Sequence, residues 1–93
     1  MQDELFKAFA DSTRREILTM LGERDLTAGE IASHFKMTKP SISRHLSLLV
    51  SAGLIKGQRR GQNIVYSLNA LPIRELIRWF YTAFGNVWMN IKK

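Results

Sequence analysis

A capped amphipathic helix that runs straight into a glycine-led hairpin restricts this chain more than any other feature. In TKPSISRHLSLL (residues 38–49), Thr38 can accept a first-turn backbone N–H, and Pro40 sits where a missing N–H costs nothing. Ile42, Leu46 and Leu49 follow at helical spacing, so this helix buries one stripe. Gly53 ends it. Leu54 to Arg60 and Asn63 to Leu68 then read as strands joined by Gly61-Gln62, a turn that suits the twist of paired strands. Ile64, Tyr66 and Leu68 alternate, which turns one face of the ribbon inward.

The charge of that segment narrows its partners. Residues 31 to 74 hold seven Lys or Arg and no Asp or Glu, and seven of the eight acids lie at or before Glu30. A one-signed stretch of this length is a local field whose natural partner is a polyanion. The formal charge of the chain is +6. Its 93 residues, taken as a single domain over 1–93, leave a core so small that support from a second copy is expected. No cysteine is present, which excludes disulfides and thiolate metal sites. No apolar run approaches the ~20 residues needed to span a bilayer. The opening MQDELFKAFAD carries early acids and no signal-peptide core, so the expected location is cytoplasmic.

The remaining elements follow from caps and periodicity. Gln2 to Ala10 suits a short helix with Leu5, Phe6 and Phe9 on its apolar face. Asp11 can cap a helix from Ser12 to about Leu21, with Ile17, Leu18 and Leu21 inward, Arg14 and Arg15 at the rim, and Gly22 as a left-handed stop. Thr27 and Glu30 form a capping box that opens a helix to about Phe35. After Asn69 and Pro72 a last helix runs to about Met89 or beyond. The expected class is mainly α with a small β-hairpin, in the order ααααββα.

The third and fourth helices, joined by FKMT, make a helix-turn-helix, whose second helix enters the major groove of DNA. With Ile42, Leu46 and Leu49 inward, the outward face carries Pro40, Ser41, Arg44, Ser47 and Ser51, flanked by Lys39 and Ser43. Short hydroxyls allow close approach to phosphates, free first-turn N–H groups bind anions, and Arg44 can fork onto a guanine edge. Solvated helix faces usually carry carboxylates; this one has none. Arg59, Arg60 and Gln62 surround Gly61 at the hairpin tip, where arginine suits a narrow minor groove. Thr38 and His45 complete the expected DNA-contacting set.

These motifs meet in a family. DSTRREIL (11–18), LTAGEIA (26–32), TKPSISRHLSLL (38–49), AGLI (52–55) and RRGQNIVYSL (59–68) closely resemble the ArsR-type winged-helix repressors, in order and at matching spacing. Within that family the resemblance is strongest to the cysteine-free, SdpR-like autorepressor branch. It implies a winged helix-turn-helix homodimer that binds an imperfect palindrome in double-stranded DNA and blocks transcription. It also implies that the first and last helices make the dimer contact.

The sensing chemistries of that family are missing here. Arsenic and cadmium sensors place cysteines where this chain has Thr27 and Gly29, and zinc sensors use Asp and His on the last helix, where only Glu75 occurs. His34 and His45, the only histidines, lack the carboxylate support a zinc site needs and read as packing or phosphate-contacting groups. Ser41, Ser43 and Ser47 have no nearby acid to orient a base, and no glycine-rich phosphate loop occurs, so neither enzyme nor cofactor is expected.

The last helix carries too much apolar surface for one small domain. Ile73, Leu76, Ile77, Phe80, Phe84, Val87, Trp88 and Ile91 recur at three- and four-residue steps, and Trp79 and Tyr81 widen the stripe. Such a patch marks an interface, and Leu5, Phe6 and Phe9 offer its complement in a two-fold dimer. A membrane-surface helix is the rival, because Arg74, Arg78, Lys92 and Lys93 rim the aromatics. A winged helix that binds protein instead of DNA is another alternative. A ligand or effector-protein site between two last helices stays open.

Overall fold

A computed structural model describes residues 3–92, without the side chains of Trp88 and Lys92. Five helices and three strands follow in the order α1 (Asp3–Phe9), α2 (Ser12–Glu23), β1 (Leu26–Thr27), α3 (Ala28–His34), α4 (Lys39–Ser51), β2 (Ile55–Arg60), β3 (Asn63–Leu68) and α5 (Ala70–Lys92). The expected mainly helical, winged architecture is the one found, with one added strand. Gln2, the expected first helical residue, lies outside the described residues.

Local chemistry sets the helix starts. Asp11 Oδ1 accepts from the N–H groups of Thr13 (2.8 Å) and Arg14 (3.1 Å), capping α2. The Thr27–Glu30 capping box is reciprocal, at 3.1 Å to Thr27 Oγ1 and 2.8 Å to Glu30 Oε1. Thr38 caps α4 by accepting from Ser41 N–H at 3.3 Å. Gly53, at φ +77°, releases the chain from α4 into β2. Gly22 is not the stop expected of it: it lies inside α2, and extended Arg24 ends that helix as the chain heads into β1.

The sheet order is β1-β3-β2, antiparallel throughout. Leu26 pairs with Tyr66 and Thr27 with Val65, so the middle of β3 is tied to the residue that caps α3. The hairpin register runs from Ile55↔Leu68 to Arg60↔Asn63. Gly61 supplies the φ of +65° that closes the tip. Asn69 anchors the other end, donating N–H to Leu54 O (2.8 Å) and Nδ2–H to Gly53 O (2.9 Å).

Ile17, Ile31, Leu49 and Leu54 lie fully enclosed at the centre, with Ile42 and Leu46 beside them. Tyr66 and Leu68 pack on this core as their alternation requires. Ile64, toward the tip, is exposed because the core does not reach that far out. The molecule measures 50 × 24 × 24 Å, and α5 carries a long apolar surface that the core leaves open. None of the described helices is long and apolar enough to cross a membrane.

Candidate nucleic-acid interface

The core stripe of α4 fixes what its other face presents. With Ile42, Leu46 and Leu49 buried, Lys39, Pro40, Ser41, Ser43, Arg44, Ser47 and Ser51 are all exposed. Thr38 Oγ1 donates to Ser41 Oγ at 2.9 Å, which orients both hydroxyls at the helix start. The supply of anion-binding N–H groups there is smaller than the sequence promised. Proline has none at position 40 and Thr38 Oγ1 takes that of Ser41, which leaves the N–H groups of Thr38 and Lys39.

Arg59, Arg60 and Gln62 are exposed around the closed tip of the hairpin. The described ion pair is Arg24–Glu30 at 3.7 Å, and two histidines lie beside carboxylates, His34 at 3.5 Å from Glu16 and His45 at 3.9 Å from Asp11. None of them engages a Lys or Arg of α4 or the hairpin. Lys39, Arg44, Lys56, Arg59 and Arg60 therefore keep their charge uncompensated by these pairs, and their field points at solvent.

His45 is the member of the expected DNA-contacting set that the fold turns elsewhere. Its side chain is 18% exposed and faces α2, with Nδ1 3.3 Å from Arg14 Nη1. The position borders the buried stripe of α4, so the ring swings toward the α1–α2 corner and away from the serine face. His34 meets Glu16 instead, and no cluster of three or more metal-ligating side chains occurs among the described residues.

Asp11 sits beneath that contact. Its carboxyl is held below the ordinary value of 3.8, chiefly by the Arg14 backbone N–H, partly opposed by desolvation and helped by Thr13 N–H and the Arg14 cation. Glu30 is likewise lowered, above all by the Thr27 backbone N–H.

Sequence reasoning left Arg14 and Arg15 at a rim, and the structure gives them work. Arg14 donates to Lys7 O (2.8 Å) and Ala8 O (3.1 Å), and Arg15 donates to Phe9 O (2.7 Å). They supply partners to the terminal carbonyls of α1. Cations in the first turn of a helix oppose its dipole, and that conflict was the available signal.

The expected dimer residues divide into two groups. Leu5 and Leu76 are buried within the protomer's own core, and Phe9 and Ile73 pack against it, so these four hold α1 and α5 to the body. Phe6, Ile77, Phe80, Phe84 and Val87 remain exposed, as do Trp79, Tyr81 and Ile91. Phe6 meets Trp79 edge-on at 6.1 Å, and Trp79 meets Phe84 at 5.7 Å. The side chain of Trp88 lies outside the described residues.

A helix-turn-helix with a basic outward face, followed by a basic hairpin, defines a winged-helix transcription regulator. Residues 11–56 match the bacterial regulatory protein arsR family. The chain is 49% identical over 77 residues to the transcriptional repressor SdpR of Bacillus subtilis, covering 83% of this chain and 86% of that protein. The crystal structure of an ArsR family transcriptional regulator superposes with a TM-score of 0.82 at 28% identity, over 94% of this chain and 89% of the other. An ArsR-like regulator from Rhodococcus sp. RHA1 gives 0.79 at 30% identity, over 94% and 79%. The chain belongs to the arsR family of regulators, whose work is transcriptional control and not catalysis.

Proposed function

We propose that this chain is a cytoplasmic homodimeric repressor that binds an imperfect palindrome in double-stranded DNA, its own promoter among the targets. The carboxylate-free outward face of α4 carries this reading, with the unneutralised hairpin as its second arm. In such a complex the first turns of α4 enter the major groove, Arg44 reads a base edge, and Arg59, Arg60 and Gln62 follow an adjacent groove. Two copies related by a two-fold axis present two recognition helices, which a palindrome matches. The uncovered aromatic stripe of α5, with Phe6 of α1, supports that dimer.

The deciding experiment measures binding to the promoter region upstream of the chain's own gene and to a scrambled duplex across a salt series. Specific binding, a steep salt slope and repression of a reporter from that promoter are expected. Equal affinity for both duplexes, or a folded protein that ignores DNA at low salt, defeats the reading.

A further inference from the structure

The guanidinium of Arg14 touches three places at once. Nη2 and Nε hold Lys7 O and Ala8 O at the end of α1, and Nη1 lies 3.3 Å from Nδ1 of His45 on α4. A guanidinium has five donors and no acceptor, so the last contact is a hydrogen bond only when Nδ1 is bare and the ring proton sits on Nε2. The same Nδ1 is 3.9 Å from Asp11 Oδ1, which is already engaged by the N–H groups of Thr13 and Arg14. One ring nitrogen thus faces a cation and a carboxylate, both from the start of α2.

We propose that Arg14 and His45 are positioning residues for DNA reading, a polar bolt that fixes the rotation of α4 against the α1–α2 corner. The proposal rests on the DNA-binding function above. His45 directly follows Arg44 in the chain, and α1 carries Phe6 against Trp79 of α5. The bolt therefore links the element beside the proposed dimer seam to the helix that meets bases. Releasing it lets α4 turn, which spoils base contacts needing bidentate geometry and spares contacts that depend on charge alone.

Two measurements test this. The first uses free protein with 15N-labelled histidine at neutral pH, where His45 signals are assigned by their loss in His45→Asn. The Nε2–H tautomer is expected for His45 and should lose its dominance in Arg14→Gln; a dominant Nδ1–H tautomer in the wild type overturns the bolt without touching the DNA reading. The second compares operator and scrambled duplex for Arg14→Gln, His45→Leu, their double variant and His45→Asn, whose amide oxygen stands near the place of Nδ1.

Arg14→Gln and His45→Leu should each lower operator affinity roughly tenfold, with the double variant no worse than either and scrambled binding within about twofold of wild type. His45→Asn should restore operator affinity toward the wild-type value. Should Arg14→Gln fail to fold, the contrast between His45→Leu and His45→Asn decides alone. Additive losses, equal weakening of both duplexes or an Asn variant as poor as the Leu variant overturns the proposal. A wild type with the expected tautomer that prefers no duplex removes the DNA reading, and the positioning role with it.

Discussion

Truncating Phe84 to Ala should break the proposed dimer, and the size of the effect follows from what the ring leaves uncovered. A phenylalanine buries roughly 200 Å² when enclosed, and Phe84 is 49% exposed. A partner that covers the ring removes about 100 Å² of apolar surface from water, about 2.5 kcal/mol per chain. Two-fold symmetry counts it twice, for about 5 kcal/mol per dimer. Alanine keeps the β-carbon, so about 4 kcal/mol is at stake, close to a thousandfold in the dissociation constant. Sedimentation velocity over a concentration series, with circular dichroism to follow α5, gives the constant for wild type and variant. Leu71→Ala is the control, since Leu71 is exposed on the opposite side of the helix by its period. A change under tenfold with helix content preserved, or a wild type monomeric at micromolar concentration, would show that the aromatic stripe is not the seam.

Other perturbations separate the parts of the site. Arg44→Ala should cost roughly 1–3 kcal/mol per base contact and flatten preference at one operator position, read from binding to single-substitution operators. Arg60→Ala should weaken operator and scrambled DNA more evenly and lower the salt slope by about two for a symmetric dimer, as a salt series would report. Asp11→Asn keeps a capping oxygen but removes the charge. Because the folded carboxyl titrates below 3.8, its stabilisation is present above that value and is lost as pH falls through the folded value. Urea melts at neutral pH should therefore favour the wild type, with the gap closing in acid. Zinc, cadmium and arsenite should leave operator affinity unchanged, and release by any of them that disappears on replacing His34 would contradict this.

Most of the fold could be read from local chemistry. Asp11, Thr27 and Thr38 announce helix starts because the cap is a bond between near neighbours, and Gly53 and Gly61 announce turns because their φ values suit little else. What escaped depends on distant partners. β1 is two residues long, too short to show alternation, and exists because β3 lies beside it. Gly22 read as a stop, but the helix continued because nothing at that point obliges the chain to turn. His45 lay at the edge of a helical stripe, where the period alone cannot choose between groove and protein. Arg14 chose for it.

Thr27 belongs to two structures at once, and this limits how the binding head can change. It is paired with Val65 in the sheet while its hydroxyl caps α3. Swinging the hairpin to a new angle would pull on the start of the helix-turn-helix, so both arms move as one rigid fork. New operator preferences would then arise by exchanging side chains at its points, on α4 and around Gly61. Insertions at Gly61-Gln62 should be tolerated for the same reason, because the tip extends beyond the join, whereas one at Thr27 or Val65 should unseat both arms together.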